Sequence, residues 1–195
     1  MPSPSITNAT KPDQQQRAVA TMVTAFTADP ITRWVLPEPH QYLTYFAEFV
    51  PLMAAGTFDH GGAYCTDDFG AASLWLPPNV HSDFEAMAGL AQKAVAERDQ
   101  EKVFAFMGQM GQYHPTETHW YLPFIGVDPL RQGEGLGSAL LQHALKFVDR
   151  DKLPAYLEAT SPDSRRLYER HGFEAIGEIQ TADSPPLWPM LRKPR

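Results

Sequence analysis

Glycine at three alternate positions, Gly133, Gly135 and Gly137, is the feature of this chain that points most directly to chemistry. Residues 124–141 open with apolar side chains suited to a strand, turn at Asp128-Pro129, pass the glycines and enter a helical pattern at Ser138. Glycine lets a backbone come close to a ligand. The free amides of a helix start, backed by the positive end of the helix dipole, suit an anion and above all a phosphate. Two common phosphate cradles do not fit. No Gly-Lys-Ser/Thr follows a first glycine, which excludes a P-loop. The G-x-G-x-x-G dinucleotide fingerprint breaks at Ser138, and no acidic residue stands where a ribose would need one. The seven histidines show no H-x-x-x-H ligand spacing and Cys65 is the single cysteine, so no metal is expected.

These residues need elements to hold them, and apolar periodicity supplies an outline. Residues 1–11 read as a flexible lead-in with a short strand near 6–9. Helical spacing follows over 12–28 and stops at Asp29-Pro30. A short helix carries Arg33 and Trp34, and a third runs from about 42 to 53. Strands at 61–65 and 71–76 form a hairpin closed by Pro77-Pro78. The region 82–112 reads as helical with an interruption at 98–101, rich in Met, Ala and Gly, and is a candidate lid. A central strand spans 118–127. Pro123 cannot donate to a ladder, so it marks an edge or a bulge that frees backbone groups for a ligand inserted in the sheet. A helix at 138–148, a strand at 155–159, a helix at 162–171 stopped by Gly172, and strands at 173–180 and 187–192 complete the chain. The expected fold is α/β: a single domain with one mixed sheet of six or seven strands flanked by helices.

Composition narrows the partners. A net charge of −7 with no Lys/Arg cluster before the last four residues argues against nucleic acid. No apolar run reaches the roughly 20 residues that span a membrane, and the N-terminus lacks the pattern of a secretory signal. A lone cysteine rules out an internal disulfide framework and suits a reducing cytoplasm. A homodimer is an expected assembly for which the residues carry no signal.

Gln132-Gly133-Glu134-Gly135-Leu136-Gly137 matches the Q/R-x-x-G-x-G/A signature of the GNAT acyltransferase superfamily, which cradles the pyrophosphate of an acyl-coenzyme A. Residues 161–173 resemble that family's N-P-x-x-x-x-x-Y-E-x-x-G-F block, with Ser161 where asparagine is common. The ending Leu187-Trp188-Pro189-Met190 and the early Ala25-Phe26-x-x-Asp29-Pro30-x-x-Arg33-Trp34 look like puromycin N-acetyltransferase and its bacterial relatives. The resemblance implies an acetyl-CoA-dependent N-acetyltransferase that moves an acetyl group directly to the primary amine of a small molecule. It implies that the backbone of Ile125, Gly126 and Val127 pairs with the pantetheine, and that Gln132 to Ser138, with Ser161 and Ser164, hold the rest of the coenzyme. Tyr168 falls where the family places the acid that protonates the leaving thiolate. A base for the attacking amine is expected at His119, with Glu117, His114 and Tyr113 as neighbours that could substitute. Phe26, Asp29, Trp34, Trp75, Tyr113 and Trp120 are the expected acceptor pocket, because aromatic rings bind flat or cationic groups. Two rival readings remain: a coenzyme-A-binding domain without catalysis, and a protein N-acetyltransferase.

Overall fold

Proline opens four of the helices, where its fixed φ suits the first turn and its missing N–H leaves nothing unpaired. In the computed structural model, which describes residues 4–195, these are α1 (Pro12–Ala25), α2 (Pro30–Val35), α3 (Pro39–Gln41) and α8 (Pro162–Arg170). A π-helical turn, Tyr42–Phe46, joins α3 to α4 (Ala47–Met53). The remaining helices are α5 (Phe84–Ala94), α6 (Glu97–Tyr113) and α7 (Leu136–Asp151). The strands are β1 (Ile6–Asn8), β2 (Ala63–Thr66), β3 (Ala71–Leu76), β4 (Trp120–Val127), β5 (Ala155–Ala159), β6 (Glu174–Ala175) and β7 (Trp188–Arg192).

All seven strands form one mixed sheet in the order β1-β2-β3-β4-β5-β7-β6, so the expected α/β architecture holds. The expected lead-in contains the edge strand β1, paired antiparallel with β2; residues 1–3 lie outside the described residues. Side-chain alternation divides the apolar residues between two faces. On one face α7 and α8 pack over Trp75, Trp120, Leu122, Leu157 and Met190. On the other, α1, the π turn and α4 pack over Ala72, Leu74 and Phe124.

The join between β4 and β5 positions the site. Parallel pairing covers only Trp120 to Leu122 against Ala155 to Leu157. On its other side β4 pairs with β3 through Val127, but with a register shift: Leu74 faces Phe124 while Leu76 faces Tyr121. One extra residue of β4 is therefore accommodated at Leu122-Pro123, a bulge that turns the strand. Beyond it β4 and β5 run unpaired, and the sheet is split.

Two boundaries differ from expectation. The helical break comes earlier, at Val95-Ala96, where Gln100 Nε2 donates to the carbonyls of Gln92 (3.0 Å) and Val95 (3.2 Å) and closes the end of α5. Residues 98–101 instead join the first turn of α6, where Glu97 and Asp99 complement the helix dipole. The strand expected over 173–180 shrinks to Glu174–Ala175, followed by a lone bridge between Ile179 and Leu187. Gly177 lies between them with the Tyr113 ring so close that an added Cβ would fall 2.3 Å from it. Tyr113 therefore docks on backbone that a continuous strand would have occupied.

Candidate active site

Two halves of a site meet at the split, one on each face of the sheet. On the α7 and α8 face lies the glycine loop. Gly133 and Gly135 adopt φ of +86° and +81°, and a Cβ on either would meet nothing within 4 Å, so it is the left-handed backbone that requires glycine there. Gly135 is the N-cap of α7 and offers no side chain to its first amides, which stay available to an anion. Ser138, in that first turn, is tied through its hydroxyl to His171 Nε2 at 2.7 Å. Gly137 has another reason to be small: a Cβ there would sit 3.3 Å from Leu167 of α8. Gln132 and Glu134 are exposed. The Glu134 amide is directed back at the Arg131 carbonyl (3.4 Å), and Arg131 also pairs with Glu134 and Asp68, which anchors the loop to the β2–β3 turn.

Beside the loop, Ile125, Gly126 and Val127 pair with Ser73, Ala72 and Ala71 of β3 and have no strand on the β5 side. Their open edge suits an extended ligand. Gly126 is also required by packing, since a Cβ on it would lie 2.7 Å from Ala25 Cβ of α1. Ser161 and Ser164 cap α8 through each other: Ser161 Oγ accepts the Ser164 amide at 3.2 Å, and Ser164 Oγ accepts the Ser161 amide at 3.2 Å. That hydrogen bonding accounts for both residues without a ligand.

On the opposite face lies a cavity of about 550 Å³. Its walls are apolar, with Phe26, Phe46 and Phe49 on one side and Met87, Leu90, Phe106, Met107 and Met110 of α5 and α6 on the other. Polar groups gather at one end, at the mouth of the split. Glu158, one residue past the last paired position of β5, opens onto the cavity and accepts a hydrogen bond from the Tyr121 hydroxyl at 3.0 Å. Burial pushes its carboxyl up to about 7, against the opposing effect of the Tyr121 and Tyr156 hydroxyls. The Tyr156 hydroxyl is buried and has no hydrogen-bond partner among the described residues. Thr160 also lines this end and donates to Asp29, whose other oxygen accepts the Thr32 amide at 2.9 Å as the N-cap of α2. Burial raises the Asp29 pKa as well, with Thr160 as the main opposing influence.

Tyr168, on α8, is buried and lies outside the cavity wall. Burial raises its pKa, and so do the charges of Asp29 and Glu158. The packing of α8 sets Tyr168 on one face of the sheet, while strand alternation turns Glu158 to the other. Pro123 and Glu158, on the two flanks of the split, both line the cavity.

The expected acceptor residues divide. Phe26 lines the cavity and Asp29 is held beneath its polar end. Trp75 and Trp120 pack with each other in the core of the opposite face, and Trp120 Nε1 donates to Asp151 at 3.2 Å. Strand parity put them there, and neither reaches the cavity. Trp34 packs on Phe106 from outside and donates to Asp183 at 3.1 Å, while Tyr113 docks on Gly177. His119 lines a smaller neighbouring pocket of about 240 Å³. Its Nδ1 donates to the Glu117 carbonyl at 2.7 Å, so its Nε2 accepts from His114 Nε2 at 3.2 Å. His114 stands between the two pockets, and burial, reinforced by His119 and His81, lowers its pKa to about 4 and keeps it neutral. Sequence reading missed Glu158. Its signal was a lone carboxylate in the apolar strand AYLEA, just where pairing must fail opposite Pro123. Among the described residues, no three His, Cys, Asp or Glu side chains gather as a metal site would require, and no helix is long and apolar enough to cross a membrane.

A mixed sheet split beside a glycine-led helix start is the architecture of an acyl-coenzyme A transferase. The chain belongs to the acetyltransferase (GNAT) family, whose model matches residues 63–173, the segment from β2 through α8. It is 24% identical to an uncharacterized N-acetyltransferase of Schizosaccharomyces pombe (strain 972 / ATCC 24843) over 92% of this chain and 79% of that protein. Two solved structures share the fold. One, from Corynebacterium glutamicum ATCC 13032, is described as histone acetyltransferase HPA2 and related acetyltransferase (TM-score 0.71, 24% identity, 99% of this chain and 97% of that one). The other is arylalkylamine N-acetyltransferase 2 from Aedes aegypti (TM-score 0.62, 15% identity, 98% of this chain and 100% of that one).

Proposed function

We propose that the protein is an acetyl-CoA-dependent N-acetyltransferase whose acceptor is the primary amine of a small molecule. The observation that carries this reading is the location of Glu158, a partly buried carboxylate at the polar end of an apolar cavity, beside the split whose other face bears the glycine loop. Acetyl-CoA supplies the activated acetyl carbonyl; the amine nitrogen bonds to that carbon, the carbon–sulfur bond breaks, and the products are an amide and a free thiol.

In this proposal the amides at the start of α7 hold the pyrophosphate, and the open edge of Ile125 to Val127 receives the pantetheine as an added strand. The Val127 amide polarises the acetyl oxygen. An alkylammonium with a pKa near ~10.4 is neutral in only about one molecule in 2,500 at pH 7, so the acceptor needs a base. Glu158, with its carboxyl at about 7, is ionised in about half of the molecules at neutral pH and matches that task better than an ordinary glutamate. Tyr168 keeps its proton, because burial raises its pKa further above that of a thiol near ~8.5. Its hydroxyl therefore donates a hydrogen bond to the sulfur as negative charge develops there, and the proton that completes the thiol is replaced on Tyr168 by the one the nitrogen loses as the amide forms.

An α5–α6 wall over the cavity favours a small acceptor over a peptide chain. The Asp29 and Trp34 spacing and the closing strand β7 support a place near the puromycin N-acetyltransferase-like bacterial members. The test is thiol release from acetyl-CoA across aminonucleosides, polyamines, arylalkylamines and amino acids, beside thermal shift with coenzyme A. Stabilisation by coenzyme A without turnover would favour a binding domain instead, and absence of both would sink the proposal.

A further inference from the structure

The cavity carries a second message, about what the amine is attached to. Among the described residues, Glu158 and His114 are its only lining Asp, Glu or His side chains, and no Lys or Arg lines it. Both sit at the same end, with Tyr121 between them: the His114 ring lies 4.9 Å from the Tyr121 ring, whose hydroxyl bonds Glu158. From His114 the lining face of α6 runs back through Gly111, Met110, Met107 and Val103. At 1.5 Å per residue that face is about 16 Å long, and only apolar side chains and one glycine follow His114 along it. The facing wall, from Met87 and Leu90 of α5 to Phe46 and Phe49, carries no charged side chain, and Tyr45 is its one polar residue.

We infer that the acceptor is an elongated monoamine whose body is an uninterrupted alkyl or aryl-alkyl group, its ammonium held at Glu158 and its apolar end lying along α6. The inference rests on the acetyl-transfer reading and sharpens its acceptor. A second charge on the acceptor would have to be buried against Met107, Leu90 or Val103 with no partner, which is costly. Polyamines, ω-amino acids and amino sugars are excluded by the same wall that welcomes a hydrocarbon.

Binding and turnover are measured separately. Calorimetry with the full chain and coenzyme A would follow butylamine, hexylamine, octylamine, 1,8-diaminooctane and 8-aminooctanoate; thiol release would follow the same compounds with acetyl-CoA. The dissociation constant should tighten about three- to fourfold per added methylene, and the diamine and the amino acid should bind at least tenfold more weakly than octylamine. Met107 lies seven residues before His114, about 10 Å along the helix axis, so Met107→Glu should reverse the order and favour the diamine. A folding defect cannot produce that gain. No chain-length trend, or a diamine bound by the unmodified protein as tightly as octylamine, overturns the inference. The expected binding series without thiol release leaves the cavity assignment standing and overturns acetyl transfer.

Discussion

Replacing Glu158 by glutamine keeps the shape of the side chain and removes its charge, and the structure gives a magnitude for the result. The carboxyl rises from 4.5 to about 7 in the folded protein because burial disfavours the ion. The folded state therefore binds this proton more tightly than the unfolded state does. Below about pH 4.5 the group is protonated in both states and costs nothing. Between there and about pH 7 it is ionised only in the unfolded chain, so stability falls as pH rises. Above about pH 7 the full cost of a buried anion is present, about 3 kcal/mol for a shift of this size. Glu158→Gln should accordingly match the parent near pH 4.5 and exceed it by up to about 3 kcal/mol at pH 8, read by denaturant unfolding at a series of pH values. The Tyr121 hydroxyl keeps an acceptor in the glutamine oxygen, so its hydrogen bond does not offset the gain. Activity should move the opposite way. The parent's kcat/KM should rise with pH through an apparent pKa near 7, and the variant should lose roughly 10²–10⁴-fold and that inflection, as removal of a general base does. A stability gap that stays constant from pH 4.5 to 8, or turnover equal to the parent's, would refute the assignment.

Tyr168→Phe should lower kcat by about 10²-fold while leaving the coenzyme A dissociation constant within about twofold, measured by thiol release and calorimetry. Gly126→Ala should destabilise by about 1–3 kcal/mol, because its Cβ meets Ala25 Cβ at 2.7 Å; Ala25→Gly in the same chain should recover part of that loss in thermal denaturation. Gly135→Ala forces an L side chain to φ +81° at the start of α7 and should cost about 1–2 kcal/mol. It should also weaken coenzyme A binding, and an unchanged dissociation constant would remove this loop from the coenzyme site.

The backbone of the glycine-loop half of the candidate site was legible because its physics is local. Alternating glycines, a helix start and a misplaced proline are statements about backbone, and backbone conformation is written in adjacent residues. Pro123 announced a bulge, and the register shift between Leu74 and Leu76 is that bulge. The acceptor half depends on which face of a sheet each side chain takes, and a single bulge reverses that parity. Trp75 and Trp120 were plausible pocket aromatics by type, yet both point to the α7 side. Met107 and Met110 belong to the Met-rich stretch that reads as a candidate lid, and they wall the cavity. Glu158 is one charged residue in a strand of five, and its meaning appears only when the neighbouring strand fails to pair with it.

The three-residue seam between β4 and β5 has a mechanical consequence. Among the described residues, backbone pairing joins the strands from β1 to β4 to those from β5 to β7 only at Trp120 to Leu122, so the sheet is pinned at one end of the seam and held at the other by side chains such as Thr160 on Asp29. A ligand strand entering the gap acts as a spacer with two adhesive sides. It would set the angle between the two parts of the sheet, and with it the distance from Val127 on β4 to Glu158 on β5, which lie on opposite flanks of the gap. Coenzyme binding should then slow amide hydrogen exchange on both flanks of the gap, at 124–127 and 158–160, and the amine chamber would take its working shape only after the thioester is seated.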